Sequence, residues 1–255
     1  MNDQTRKAEQ FHALHIPGKL LILFNIWDAG SAKAVAAAGA PAIATGSWSV
    51  ANANGSEDGE HFPLIAAIDN LRRIVKATGL PVTVDLESGY GETAAKVGAT
   101  VGMAIDAGAI GCNLEDSFPT DGTLRPAADQ VDRIRSARQV ADAAHIPFFI
   151  NARTDIFFQH PPEEHDDAMI DAAIARAHAY AEAGANGLFV PGLDNIALID
   201  RLVRTSPLPV NIMISSTTPP RDELARSGVA RLSHGPGPYL LAMKALEEAA
   251  RSAIA

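Results

Sequence analysis

The run Val82-Thr-Val-Asp85-Leu-Glu87-Ser-Gly89-Tyr-Gly91 opens as a short strand and closes as a polar, glycine-rich turn. Its strand is read as Pro81–Asp85, one of a set of runs that taken together are continuous apolar stretches and not alternating ones, as expected of strands buried on both faces of a parallel sheet. Similar runs recur along the chain at Leu20–Asn25, Ala42–Thr45, Ile110–Glu115, Pro147–Asn151, Gly187–Pro191, Pro209–Ile212 and Ala230–Ser233. Alanine-rich helical patterns lie between them, clearest at Pro63–Thr78, Thr93–Ala107, Ala127–Ala143, Asp166–Ala183 and Tyr239–Ala253. Eight strand–helix units in about 235 residues is the rhythm of an α/β (β/α)8 TIM barrel. A doubly wound open sheet is the runner-up, since the same alternation serves it. Small-residue signatures such as Ala107-Gly108-Ala109 and Ala183-Gly184-Ala185 mark helix ends, each followed by an apolar strand.

The bulk numbers agree. The 255 residues are 47% hydrophobic and 20% charged, enough for a large core, and are expected to form one barrel domain spanning 1–255. A net charge of −9 argues against nucleic acid as a partner but leaves room for a small anion. The N-terminus lacks the apolar core of a signal peptide, and no apolar run approaches a bilayer span. The lone Cys112 lies in an apolar strand and fits a reducing cytoplasm, with packing as its role. The loops Asn52–His61, Phe118–Pro126 and His160–Asp167 are polar. His160 and His165 are expected to be solvated, and His234 is a candidate to face the site.

In a parallel barrel the chemistry sits where strands end. Asp85 and Glu87 follow the third strand, Glu115 ends the fourth, and Asn151-Ala-Arg153-Thr-Asp155 ends the fifth. Carboxylates at i and i+2 of a strand end point the same way, so Asp85 and Glu87 are expected to meet Glu115 in one mouth. Oxygen ligands without a histidine pair suit Mg2+ or Mn2+ and not Zn2+. Arg153 offers a planar fork for a carboxylate, or else an ion pair to Asp155 or Glu115. Ser47-Trp48-Ser49 offers hydroxyls and backbone N–H groups to the other end of such an acid. No phosphate-cradling glycine loop follows the first strand.

Taken in order, the motifs resemble those of the isocitrate lyase/phosphoenolpyruvate mutase superfamily. They are Phe24-Asn25-Ile-Trp27-Asp28-Ala-Gly-Ser31-Ala, Ala44-Thr-Gly-Ser47 with Asp58-Gly59, and Val84-Asp85-Leu-Glu87-Ser-Gly-Tyr-Gly91. Gly111-Cys-Asn113-Leu-Glu115-Asp116, Ile150-Asn151-Ala-Arg153-Thr-Asp155 and Gly228-Val-Ala-Arg231-Leu-Ser233 complete the series. The resemblance implies a Mg2+-dependent enzyme that cleaves a C–C or P–C bond of a small α-oxo or α-hydroxy acid through a metal-stabilised enolate. It assigns Asp85 to the metal, and Glu87 and Glu115 to the metal's waters. Substrate binding falls to Trp27, Ser47, Trp48, Ser49, Arg153 and Asn211, with Asp58 supporting catalysis. It also implies a homo-oligomer, dimer or tetramer, in which the apolar side of the last helix is covered.

The sequence departs from that pattern in the fourth loop. Lyases of the family carry a Lys-Lys/Arg-Cys-Gly-His stretch there, and the mutase branch a Lys. Here Ser117-Phe-Pro-Thr-Asp-Gly-Thr-Leu-Arg125-Pro holds no Cys, His or Lys. Nor does Val190-Pro191-Gly192 supply the glutamate that the lyases place after the sixth strand. A barrel that binds an oxo acid without turning it over, as a sensor or scaffold, is therefore the alternative reading.

Overall fold

The computed structural model describes residues 2–255. The chain begins with α1 (Asp3–Ala13), β1 (Leu21–Leu23), α2 (Ala29–Ala37), β2 (Ile43–Ala44), α3 (Ser47–Ala53) and α4 (Leu64–Ala77). It continues through β3 (Val82–Asp85), α5 (Ala94–Asp106), β4 (Gly111–Glu115), α6 (Ala127–Ala143) and β5 (Phe149–Arg153). Two 3₁₀ turns, Ile156–Phe158 and Pro162–Glu164, precede α7 (Asp167–Glu182) and β6 (Gly187–Val190). The last part is α8 (Ile196–Thr205), β7 (Val210–Met213), α9 (Arg221–Arg226), β8 (Arg231–Ser233) and α10 (Gly237–Ile254).

All eight strands are parallel, in the order β1-β8-β7-β6-β5-β4-β3-β2. Between β1 and β2 no regular ladder forms. A bridge from Ile26 to Thr45 closes that seam, with Ile26 N–H donating to Ala44 O (2.9 Å) and Gly46 N–H to Ile26 O (3.2 Å). This nearly closed ring is the expected (β/α)8 barrel, and the open-sheet alternative is set aside. The strands pair at matched register, so their C-terminal ends open on one side. Asp85 of β3 stands opposite Asn113 of β4, and Glu115 of β4 opposite Arg153 of β5.

Local chemistry sets the helix limits. Asp28 and Ser31 form a reciprocal capping box on α2, while Thr93, Asp166 and Asn195 cap α5, α7 and α8. The glycines of the anticipated helix-end signatures, such as Gly108 and Gly184, adopt left-handed φ values of 96° and 104°. At the opposite end of the barrel α1 acts as a plug. Gln4 donates to Ile105 O and Ala109 O, Phe11 packs edge-on against Phe149, and His15 stacks on the same ring. Burial between these groups pushes the His15 imidazole down to about 3. Cys112 is fully buried within β4, as its apolar setting indicated. No helix among the described residues is long and apolar enough to cross a membrane.

Candidate active site

The strand ends and the loops after them enclose a cavity of about 230 Å3. Its polar wall includes Asn25, Ser47, Ser49, Asp58, Asp85, Asn113, Arg153 and Ser233, and its apolar wall includes Trp48, Phe158, Phe189 and Met213. Six of the anticipated residues thus share one space: Ser47, Trp48, Ser49, Asp58, Asp85 and Arg153.

Ser47-Trp48-Ser49 is not a loop but the first turn of α3. The amides of a first helical turn have no partner inside the helix. Ser47 spends its own on Asp85: its N–H and Oγ both donate to Asp85 Oδ2, at 3.2 and 3.1 Å. Asp85 N–H in turn donates to Thr45 Oγ1 (2.9 Å), fixing the end of β3 against β2. Asp58 comes in on the loop after α3, and its Oδ1 is buried without a hydrogen-bond partner. Burial raises its pKa above the usual carboxylate range, and the charge of Asp85 raises it further. Two carboxylates therefore face one cavity, one with an idle oxygen.

Glu87 departs from the expected geometry. It lies outside the cavity wall and does not point with Asp85, because the strand stops at Asp85 and Glu87 takes φ 51°. That left-handed conformation is uncommon for a residue with a Cβ, and it turns the side chain back beneath the neighbouring loop. There Glu87 Oε2 accepts from the amides of Gly59 (2.8 Å) and Glu60 (2.6 Å), and Oε1 accepts from the Tyr90 hydroxyl (2.6 Å). Glu60 (φ 64°) and Tyr90 (φ 52°) are also left-handed, and Glu60 Oε1 accepts from Ser88 Oγ and Tyr90 N–H. These bonds lace the Asp58–Glu60 loop to the Ser88–Tyr90 turn. Burial pushes the Glu87 carboxyl up to about 7, with Tyr90 opposing and Asp58 and Asp85 adding to the shift.

Gly89 sits inside this lacing at φ 105°, where a Cβ would lie 2.8 Å from Val97 Cγ1 and 3.0 Å from Leu114 Cδ1. Gly89→Ala is expected to lower stability by about 2 kcal/mol or more, from the strained φ and the overpacked core together. Urea unfolding would measure it; a change below about 0.5 kcal/mol would show that the turn can move aside.

Glu115 also lies outside the cavity wall. Its Oε2 pairs with Arg153 Nη1 (2.7 Å), and Oε1 accepts from Ser117 Oγ (3.0 Å). Burial drives the Glu115 carboxyl upward while Arg153 pulls it back. Arg153 Nε and Nη2 donate to the two oxygens of Asp155, at 2.6 and 3.0 Å. The ion-pair alternative for Arg153 is thus realised with both partners, and the remaining N–H groups of its fork are left for a ligand. Burial works against its charge, but Glu115 and Asp155 outweigh it and hold the guanidinium protonated.

Trp27 and Asn211 fall outside the wall. The Trp27 ring stands edge-on to Tyr239 at 5.1 Å, beside α10. Asn211 is buried below the cavity and exchanges hydrogen bonds with Ser233 Oγ. His234 does not face the cavity, since its Nδ1 lies 3.2 Å from Leu23 O. His165 is only partly exposed: its Nε2 contacts Phe157 O at 3.0 Å, and its ring stands edge-on to Phe157.

Three features went unassigned in the sequence. Asn25 clamps the seam: its Nδ2 donates to Thr45 O (2.8 Å) and its Oδ1 accepts from the amides of His234 and Gly235. Arg231 is fully buried within the barrel, with Nε and Nη1 unpartnered and Nη2 3.4 Å from Asn113 Oδ1. Its place in an apolar strand hid it. Burial lowers it to about 9, against an opposing pull from Asp85. The apolar wall of Phe158, Phe189 and Met213 comes from three separate strand ends, which no local motif joins.

Among the described residues, no three His, Cys, Asp or Glu side chains form a ready-made metal cluster. Mg2+ does not require one, because it keeps several waters and uses one or two carboxylates. Asp85 and Asp58, with its idle oxygen, fit that demand.

Comparison with known proteins follows the same line. The family model described as phosphoenolpyruvate phosphomutase matches residues 11–254. An uncharacterised protein of Mycobacterium tuberculosis is 34% identical over 95% of this chain and 88% of its own. The 2-methylisocitrate lyase of Escherichia coli is 34% identical over 64% of this chain and 55% of its own. The phosphoenolpyruvate phosphomutase of Streptomyces hygroscopicus is 30% identical over 86% and 71%. Among solved structures, a protein of Burkholderia cenocepacia J2315 provisionally assigned as a phosphonomutase superposes with a TM-score of 0.96 at 57% identity, covering 98% of this chain and 99% of its own. A phosphonopyruvate hydrolase in complex with oxalate and Mg2+ shares the fold at 22% identity, with a TM-score of 0.82 over 95% and 84%.

Proposed function

The chain belongs to the phosphoenolpyruvate phosphomutase family of the isocitrate lyase/phosphoenolpyruvate mutase superfamily and is one of its enzymes, and from that premise we propose a Mg2+-dependent enzyme that breaks a C–C or P–C bond of a small α-oxo or α-hydroxy acid. The observation that carries this reading is the meeting of Asp58, Asp85 and Arg153 with the first turn of α3 around one cavity. Asp85 would hold the cation directly, Asp58 would share it, and Glu87 and Glu115 would orient its waters from behind. When bound, the cation supplies a Lewis acid for the oxygen that gains negative charge as the bond breaks, as in an enolate.

The protein's own groups do the rest. The amides of Trp48 and Ser49, in the first turn of α3 at the cavity wall, would receive the substrate carboxylate, as helix starts do for anions. Arg153, held by Glu115 and Asp155, offers its remaining N–H groups from the opposite wall. It places fixed positive charge where the transition state is most anionic. Phe158, Phe189 and Met213 keep that side dry and take the apolar substituent of the acid. Oxalate and Mg2+ bound to the phosphonopyruvate hydrolase support an acid of this size and a metal of this type.

A homo-oligomer and a cytoplasmic setting belong to the same reading. Leu240, Leu241 and Leu246 of α10 are exposed on this chain, while Cys112 remains a buried thiol. The test is a substrate screen with oxaloacetate, phosphonopyruvate and 2-methylisocitrate, with Mg2+ and with a chelator. Turnover of one acid that vanishes on chelation is expected; turnover unchanged by chelator would refute the metal's role.

A further inference from the structure

A second cavity, about 400 Å3 in volume, lies beyond the Glu87 lacing and shares no residue with the first. Its walls include Ser88, Tyr90, Lys96, Phe118 and Arg125, with Glu60 and Glu92 also on the lining. Arg125 is only 7% exposed. Its backbone is fixed at both ends of the peptide, by N–H donation to Asp116 O (2.7 Å) and by Arg176 Nη2 donating to its carbonyl (2.9 Å). Its guanidinium carbon lies 4.0 Å from the centre of the Phe118 ring, its Nε has no hydrogen-bond partner, and no carboxylate comes within ion-pair distance among the described residues.

Arg133, 3% exposed, stands behind it with Nε likewise unpartnered; it donates through Nη2 to Ser88 O. Burial lowers both arginines and Arg125 lowers Arg133 further, while Glu60 and Asp129 oppose the shift in both. Glu60 contributes favourable charge at a distance but makes no direct ion pair with either arginine, its Oε1 being engaged by Ser88 Oγ and Tyr90 N–H. A buried guanidinium with no carboxylate in direct contact keeps N–H groups free for an anion to complete. A guanidinium fork fits an oxyanion bidentately, and Arg125 reaches the cavity wall in contact with the Phe118 ring.

We propose that this cavity is a binding site for a small oxyanion, carboxylate or phosphoryl, gripped by Arg125 and flanked by Lys96, and separate from the catalytic cavity. Tyr90 lines it and also donates to Glu87, so the bound anion sits one residue from the carboxylates behind the catalytic mouth.

Calorimetry with inorganic phosphate, and separately with acetate, on the full chain in EDTA tests this. The wild-type protein is expected to bind at least one of the two saturably. Arg125→Leu should weaken that binding by about tenfold or more, as loss of a charged hydrogen-bond donor does. Lys96→Gln, at an exposed position where folding is not at risk, should weaken it to a smaller extent, and Arg125→Lys should retain part. Phosphate binding alone assigns a phosphoryl group, and acetate binding a carboxylate; binding of neither overturns the site. A crystal soaked in the same anion should show it beside Arg125. Density only between Ser47 and Arg153, or affinity unchanged in Arg125→Leu and Lys96→Gln, also overturns it. The outcome does not depend on catalysis, so it stands or fails apart from the proposed reaction.

Discussion

Asp85→Ala is expected to reduce turnover by about a thousandfold or more, since a Lewis-acid contact supplies several kcal/mol of transition-state stabilisation and each 1.36 kcal/mol is tenfold. The barrel should stay folded. Asp85 accepts two hydrogen bonds from Ser47, but it also faces Asp58 across the same cavity. Removing one of two like charges offsets much of what the lost hydrogen bonds contributed. Metal binding gives the sharper readout. Mg2+ should stabilise the wild-type protein by an increment that grows with concentration, about 2.7 kcal/mol at a hundredfold excess over Kd. In Asp85→Ala that increment should disappear, and in Asp58→Asn it should shrink. An Asp85→Ala protein with wild-type turnover and an intact Mg2+ response would remove Asp85 from the site.

The second large effect concerns stability. Asp116, just after β4, is 0% exposed and ties that strand end to α7 and to the segment after β5. It pairs with Arg176 Nη1 of α7 (3.0 Å) and accepts from Tyr180 OH (2.7 Å) and from Asp155 N–H (3.0 Å). Asp116→Ala leaves Arg176 charged and only partly exposed with its carboxylate gone, a change of the kind that costs about 3–5 kcal/mol. For a domain of this size the melting temperature should fall on the order of 10 °C. Asp116→Asn, which keeps some of the acceptors, should lose less. A loss below about 1 kcal/mol in Asp116→Ala would mean that water replaces the carboxylate freely. The effect should reach the site as well, because Asp116 fixes the backbone of Asp155, and Asp155 holds Arg153.

The barrel was legible because its strands are buried on both faces and therefore read as continuous apolar runs. The third strand, expected over Pro81–Asp85, could be placed to the residue only at its C-terminal end, Asp85, and begins at Val82. Helix α1 was less visible: only Ala8 and Phe11 of it are buried, too few for a clear apolar stripe. Ser47-Trp48-Ser49 read as a loop because serines favour helix starts and turns alike. In the site, Ser47, Asp58, Asp85 and Arg153 were found from strand-end position and motif. Glu87 was placed correctly in the chain but not in space. Its direction depends on a left-handed φ that nothing in a Leu-Glu-Ser sequence announces. Trp27 and Asn211 stand two residues from the cavity-lining Asn25 and Met213, a spacing that in a regular strand would share a face. Trp27 lies beyond the end of β1 and packs on Tyr239, and Asn211 sits deeper in β7, bonded to Ser233. Arg125 belonged to a loop marked only by what it lacks, and its meaning emerged from its burial on Phe118.

The clamp at Asn25 also bears on how the molecule avoids its own kind. A sheet whose order runs from β1 to β2 has two terminal strands, and terminal strands carry free amides and carbonyls that invite a foreign strand. Here those groups meet across the seam instead. Where the two-residue β2 is too short to form a ladder, a single side-chain amide takes up the Thr45 carbonyl and two backbone N–H groups. The side chain that shapes the catalytic mouth thus also denies the barrel an adhesive edge.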